Sequence, residues 1–566
     1  MYEAIVTPFL NRRWMAWGLV TVMVGLLVGS AILPATGAVP LKMLPFDNKN
    51  EFQVVVDLPE GAPLEATEAA LNDLSEYAAT APEVTEVLSF AGTSSPIDFN
   101  GLVRHYYLRR EPNRGDLRIN LLPKEKRKQQ SHEIVLRLRN GFEEIGRKHG
   151  ARLKIVEVPP GPPVLSTLVA EVYPRADQNY AELRADARHL RRLFETEKAV
   201  VDIDDTFEAE RDRFIFRIDR EKASLNGISA EDIASTLRLA LAGWTPGEGS
   251  AQTSRAGAAQ VPQEINPLYI LLHLSPGERS SLADLSRLGV KTPNGKIVPI
   301  GELGQFVKEP AEQTIYHKNL RRVAYVFGET AGRPPAEAVL NLQSRLKVEP
   351  PPNGAEVSWI GEGEWKITLD VFRDLGLAFG GAVLAIYILL VWQTGSYTMP
   401  LVRMISIPLT IIGIMPGFWL LNVFGSGPIG GHPNPVYFTA TAMIGMIALA
   451  GIADRNAILL IDFIQTVLER GGSLKEALIE SGAVRFRPIL LTAGAAMLGA
   501  WPITLDPVFS GLAWSLIFGL LVSTAFTLLL VPVVYWILYA NVKGHGVPVK
   551  ELDTTTAELL QGTVQS

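Results

Sequence analysis

Residues 443–464 read MIGMIALAGIADRNAILLIDFI, an apolar run of membrane-spanning length that carries three ionisable residues, Asp454, Arg455 and Asp462. A helix rises about 1.5 Å per residue and a bilayer core is about 30 Å thick, so about 20 mostly apolar residues cross it. An arginine at the centre of such a helix costs about 3 kcal/mol or more, so it is expected to face protein or a hydrated path, not lipid. Arg455 and Asp462 are seven apart and share one face, whereas Asp454 points about 100° away from Arg455. A purely structural reading pairs Arg455 with Asp454 or Asp462 to hold helices together. The functional reading makes the group part of an ion path.

Working outward, the run belongs to one of six apolar stretches, at 14–33, 375–392, 404–424, 438–464, 488–503 and 512–539. The first follows Arg12 and Arg13. A cleaved signal peptide would be shorter and end at small residues, so an uncleaved anchor is the expectation. The chain thus divides into 1–33 (N-terminus and first helix), 34–374 (one large extramembrane domain), 375–540 (five helices) and 541–566 (a polar, Thr-rich tail predicted to be disordered). Lys and Arg favour cytoplasmic connections. Arg12, Arg13, Arg403, Arg470, Lys475, Arg485, Arg487, Lys543 and Lys550 fall on one side of the alternation, and the loops 425–437 and 504–511 contain neither residue type. Both ends are therefore predicted to be cytoplasmic and the large domain outside, which in a bacterium means an inner-membrane protein with a periplasmic domain. Small residues four apart (Gly376 and Gly380; Gly413 and Gly417; Gly511, Ser515 and Gly519) fit close helix packing.

Composition agrees with a membrane protein whose apolar residues are concentrated at the two ends. The chain has 566 residues, 47% of them hydrophobic, with 53 Lys+Arg against 59 Asp+Glu for a net charge of −6. Mean hydropathy is only +0.16. The charge balance argues against a nucleic-acid partner. The lack of cysteine excludes disulfides, thiol catalysis and thiolate metal sites.

The large domain reads as repeated βαβ units. Strands at 51–58 and 84–89 flank a helix at 64–80; strands at 117–122 and 153–158 flank a helix beginning near Ser131, with Glu133 as a start signal. A second pair begins with 168–173, a helix at 180–196, and strands at 200–203 and 214–218, followed by a helix at 230–242; strands at 323–327 and 355–359 around a helix at 335–346 close it. Two βαβ units in series fit a split βαββαβ sandwich. The Gly/Ser/Thr-rich excursion 243–261 is too long for a simple connector. It reads as a protruding arm that contacts another subunit, with a disordered surface loop as the alternative.

No Walker loop, nucleophile elbow or HExxH is present, and the eight histidines show no metal-ligand spacing. No catalytic residue, metal ligand or cofactor is therefore expected, and an anchored enzyme is disfavoured. Between Pro45 and Asp374 there is no methionine, which argues against a thioether site for soft metals. Arg485 and Thr492, also seven apart, begin the apolar stretch after the quoted one and supply a second polar stripe facing the first.

At this point a resemblance emerges. GIADRNAILLIDF (451–463), VRFRPILLTAGAAMLGA (484–500), QTGSYTMPLVRMISIPLTIIG (393–413), MLPFDNKNEFQVVVDLPEGAP (43–63) and NGKIVPIGEL (294–303) occur in the order found in the resistance-nodulation-division (RND) efflux permeases. The chain resembles only the second half of such a permease. The resemblance implies a six-helix bundle, one helix plus five, and a large periplasmic α+β domain of βαββαβ porter-type subdomains with a docking arm. It also implies proton antiport through a relay to which Arg455, Arg485 and Thr492 correspond, and with which Asp454 and Asp462 are grouped as further candidates. The family's adjacent aspartates belong to the other half, and no Asp-Asp pair lies in the six stretches here. Arg keeps its proton, so Arg455 would act as a gate while the carriers come from elsewhere.

By the same resemblance, LSFAGTSSPIDFNGLVRHYYL (88–108) corresponds to a drug-pocket region, with Phe90, Phe99, Tyr106 and Tyr107 as candidate lining residues. A blander reading makes Tyr106 and Tyr107 alternating strand residues. Expected partners are a separate N-terminal half chain, further copies in a trimer of half pairs, a periplasmic adaptor, an outer-membrane channel, membrane lipid and amphiphilic substrates. Rival readings are an RND exporter of lipids or metal cations and a non-transporting assembly subunit or truncated remnant.

Overall fold

The structure, a computed structural model, describes residues 2–161, 163–249 and 268–540. The described residues form two compact units, one within 208–314 and one from the rest.

In the larger unit a short helix α1 (Tyr2–Asn11) leads through an extended Arg12 into α2 (Arg13–Ala35). The first α/β layer follows: β1 (Glu51–Asp57), α3 (Leu64–Ala79), β2 (Val84–Ala91), β3 (Arg114–Leu121), α4 (Ser131–His149) and β4 (Arg152–Glu157). Its sheet runs β2-β3-β1-β4 with every neighbour antiparallel, as a split βαββαβ unit requires. Phe52, Val54 and Val56 of β1 pack with Leu71 and Leu74 of α3 and Ile134 and Phe142 of α4. The helix α4 starts at Ser131, as read from the sequence, and the Glu133 carboxylate accepts the Gln130 backbone N–H at 2.9 Å.

The second layer repeats the plan with β5 (Leu168–Tyr173), α5 (Tyr180–Glu195), β6 (Val200–Asp205), β7 (Ala324–Thr330), α6 (Pro335–Val348) and β8 (Glu356–Ser358). Its order, β8-β5-β7-β6, is the same pattern.

The unit at 208–314 is inserted in the chain between β6 and β7. The strand expected at 214–218 as part of the second sandwich belongs to this insertion: Asp212–Ile218 pairs with Gly304–Pro310. Ile228, Ile233, Val290, Ile300 and Leu303 form its core around the helix Ala230–Ala242. Trp244–Gly249 and Leu268–Leu272 pair at the two ends of the excursion. The rest of the arm expected at 243–261 lies outside the described residues, as does the tail from 541 onward.

Five long segments complete the larger unit: α7 (Glu364–Thr394), α8 (Met399–Met404) leading into α9 (Ser406–Phe424), α10 (Ala440–Glu469), α11 (Leu474–Ala500) and α12 (Ser510–Tyr539). With α2, they give six candidate membrane spans among the described residues. Each covers most of one apolar stretch read from the sequence; residues 438–439 precede α10, 501–503 follow α11, and α7 begins at Glu364, well before the apolar run at 375.

The centre of the bundle is α9, α10 and α12, where Ile414, Phe418, Ala442, Leu449 and Leu520 are buried together. Gly413 and Gly417 lie against Phe518, and Gly511 against Thr439 and Ala442, so a side chain at any of them would meet a neighbouring helix. Gly376 and Gly380 meet nothing, and α7 buries only Thr368 and Leu390.

The two layers are mounted on different helices. Linker 40–43 is stitched to the start of α10: Phe438 N donates to Pro40 O at 2.9 Å and Ala440 N to Met43 O at 3.0 Å. Lys42 sits 3.3 Å from the Phe46 ring centroid, and Phe46 stacks on His132 of α4 at 3.5 Å. The loop between α9 and α10 also reaches α4, where Asn140 Nδ2 donates to Gly430 O at 2.8 Å. By contrast, α7 grows directly out of the second layer, its Glu364 N donating to Thr167 O at 3.1 Å.

Candidate functional site

The helix α10 separates its ionisable residues by direction. Asp454 is 5% exposed and turns into the bundle, whereas its neighbour Arg455 lies on the outer surface of the unit. Arg455 forms no ion pair among the described residues, so the pairing with Asp454 or Asp462 that a structural role would need is not seen. Asp462 has another partner. Its Oδ1 accepts from Arg403 Nη2 at 2.7 Å, an arginine 2% exposed at the entry to α9. The Arg403 position, read from sequence as a connection charge, is inside the packed bundle. No sequence signal ties it to Asp462, because the pair is 59 residues apart.

The second polar stripe lies on α11. Arg485 is half-buried, its guanidinium 5.2 Å from the Phe463 ring. Thr492 is exposed and donates its hydroxyl to Ile489 O at 3.0 Å. Since α10 and α11 are consecutive, packed and rise equally per residue, a level match of Arg485 with Phe463 brings Thr492 near the height of Arg455. Arg455, Arg485 and Thr492 thus occupy neighbouring outer faces. Asp454 does not join them, and the Asp462 carboxylate is directed to Arg403.

A second cluster fills the cleft between the two α/β layers, where the first layer supplies cations and the second acids. Arg104 pairs with Glu329 at 2.9 Å, Arg139 with Asp202 at 2.6 Å, and Arg152 and Lys154 with Asp204 at 2.8 and 2.6 Å. Burial pushes the Glu329 carboxyl up, but Arg104 and the hydrogen bonds from Thr167, Arg104 and Ser166 outweigh it and hold the group below the ordinary carboxylate range. Asp204 is likewise lowered: burial raises it, and Lys154 and Arg152 overcome that effect. Burial depresses the Lys42 ammonium against the pull of Glu364, Glu157 and Glu329. A cavity here is lined by Lys42, Phe46, Arg104, Glu157, Glu329 and Glu364, among others.

None of the four aromatic pocket candidates lines that cavity. Phe90 is partly buried on β2. Phe99 opens a short helix, Phe99–Val103, capped by Asp98, and is 67% exposed. Tyr106 and Tyr107 lie in a tight 3₁₀ turn, Tyr106–Leu108, not on a strand. Arg109 is 5.9 Å from the Tyr106 ring, and His105 meets Tyr107 edge-on at 6.2 Å. Among the described residues no group of three or more His, Cys, Asp or Glu is placed to hold a metal ion.

A family model described as the AcrB/AcrD/AcrF family matches residues 1–539. Among curated relatives, the multidrug resistance protein MdtC of Erwinia tasmaniensis is 23% identical over 541 residues, covering 92% of this chain and 48% of MdtC. The swarming motility protein SwrC of Bacillus subtilis is 28% identical over 63% of this chain and 32% of SwrC. The cobalt-zinc-cadmium resistance protein CzcA of Cupriavidus metallidurans is 28% identical over 56% of this chain and 28% of CzcA. The chain therefore spans about half the length of these relatives, or less. A crystal structure of a heavy metal efflux pump superimposes with a TM-score of 0.74 at 21% identity, covering 95% of this chain and 51% of the pump.

Proposed function

The chain belongs to the AcrB/AcrD/AcrF family, and from that premise we propose that it acts as the C-terminal half of a proton-driven RND efflux transporter for amphiphilic small molecules. The observation that carries this reading is Arg455. It stands on the outer face of a membrane-length helix, with Thr492 and Arg485 on the adjoining face and no acidic partner among the described residues. A guanidinium there calls for carboxylates from outside this bundle. A second, homologous half supplied as a separate chain would bring them, and the sparsely covered α7 leaves further surface for it.

In this reading the chain lies in a bacterial inner membrane with its α/β layers in the periplasm. A proton reaching the shared carboxylates changes which partners Arg455 prefers, and the bundle rocks. The mounting of the layers on α10 and α7 carries that motion to the cleft. The assembly is three such pairs with a periplasmic adaptor and an outer-membrane channel. The exposed Phe99 fits contact with amphiphiles. Similarity to CzcA favours metal cations as the alternative cargo, whereas the absence of cysteine, and of methionine between residues 45 and 374, disfavours soft metals.

The test is a drug-susceptibility and metal-susceptibility assay in a pump-deficient bacterium expressing this chain alone, a homologous N-terminal half alone, and both. Resistance is expected only from the pair, and resistance from this chain alone would contradict the shared relay. Arg455→Ala is expected to abolish export, at least about a hundredfold in transport rate, while assembled protein is retained. Unchanged export removes the gate role.

A further inference from the structure

The interior of this bundle holds a second set of charges that the shared relay does not use. Asp454 is 5% exposed, and its Oδ1 has no hydrogen-bond partner among the described residues. Arg403 is buried more deeply still, and although its Nη2 is paired with Asp462, its Nε and Nη1 have no hydrogen-bond partner among the described residues. Asp462 marks the outlet, its side chain 47% exposed. The rise from Asp454 to Asp462 along α10 is about 12 Å, and the Arg403 guanidinium that pairs with Asp462 also acts electrostatically on Asp454.

The helices around this group are polar where they face inward. Ser406 and Thr410 of α9 are fully buried, as are Ser523, Thr524 and Thr527 of α12, or nearly so. The Thr524 hydroxyl and the Asn456 side-chain carbonyl also lack partners among the described residues. Buried polar atoms left unpaired cost about 1 to 3 kcal/mol each, so a hydrogen-bonding occupant is favoured here. The packed helices bring Arg403 from α8, Tyr535 and Tyr539 from α12, Tyr387 from α7 and Arg485 from α11, with none from α9; α7 also carries Glu364, Lys366, Asp370, Arg373 and Asp374 before its apolar run, and α11 carries Lys475, Glu476, Glu480 and Arg487 in its first half. Tyr387 donates to Tyr397 O and Arg485 lies on Phe463, which leaves Arg403 and the two aspartates as the charged core.

We propose that Asp454 is a proton-binding carboxyl within this chain, reached from the Asp462 end and controlled by Arg403. Protonated, Asp454 is a neutral group that the interior tolerates; ionised, it draws the two free donors of Arg403 away from Asp462. The site therefore has two arrangements that differ by one proton, and it needs no carboxylate from a second chain. The proposal rests on the bundle being membrane-embedded and not on the split-permease reading.

The test uses the full chain, purified alone in lipid nanodiscs, and dicyclohexylcarbodiimide, an apolar reagent selective for protonated carboxyls in membranes, with the modified residue located by peptide mass spectrometry. Labelling of Asp454 is expected to fall as the medium goes from about pH 5 to 9, and Asp454→Asn should remove that label alone. Arg403→Gln should move the pH of half-labelling upward by about one to three units, and Arg403→Lys should leave it within about half a unit. No label at Asp454 at any pH, or a profile that Arg403→Gln does not move, overturns the proposal. So does labelling that arises only when a homologous N-terminal half is present, an outcome that leaves the split-permease reading intact.

Discussion

Asp202 holds a left-handed backbone, φ 53°, inside β6, a conformation that costs a non-glycine residue about 1 to 2 kcal/mol. Its carboxylate uses that geometry to accept both Arg139 Nη1 and Nη2, at 2.6 and 3.1 Å, and the Ile155 N–H at 3.1 Å. Asp202→Ala leaves the buried Arg139 guanidinium with only the longer contact to Glu143, at 3.6 Å, at a cost of about 3 kcal/mol. Asp202→Gly relieves the backbone yet keeps most of that loss, so both variants should melt earlier than the parent by tryptophan fluorescence, glycine the less severely.

The same cleft carries a pH dependence. Glu329 and Asp204 have lowered pKa values in the fold, so their ion pairs contribute fully above the ordinary carboxylate range and are lost as pH falls through the lowered values. Hydrogen exchange of β4 and β6 should therefore stay slow through neutral pH and accelerate below about pH 4. None of these pairings was legible in the sequence, since each joins residues from different layers. Arg455, Arg485 and Thr492 were legible, because a charge or hydroxyl in an apolar run stands out without any knowledge of its neighbours.

Among the elements, the best-read were those whose signal is local. Each membrane-length helix declared itself by a long, mostly apolar run, and the first α/β layer by alternation and a helix-start residue. The strand Asp212–Ile218 was misplaced because alternation identifies a strand but not its partner, and that partner begins only at Gly304. The direction of Asp454 was open for a related reason: a position beside Arg455 fixes the angle between them but not which of the two faces inward.

The join between α10 and the first layer gives a prediction at this scale. Phe46 stacks on His132 and lies under Lys42, contacts together worth about 2 kcal/mol. Phe46→Ala should leave the protein inserted, with carbodiimide labelling at Asp454 unchanged, but should reduce export severely. Gly430 adopts φ 59° with its backbone against Leu136 and Arg137, so Gly430→Ala should loosen the same join, seen as faster exchange in α4.

For the whole molecule, the cysteine-free chain permits a direct test of cleft motion without background thiols. Arg104→Cys with Glu329→Cys places one thiol on each layer, and bridging them with a reducible bis-methanethiosulfonate should stop export in cells that also carry the homologous half. Reductant should restore it, and continued export with the bridge intact would show that the layers need not separate. The uneven mounting of the layers has a mechanical consequence. Were α10 to slide past α7 by one helical turn, about 5 Å, the first layer, hydrogen-bonded through its linker to the start of α10, would be drawn along further than the second, which continues into α7.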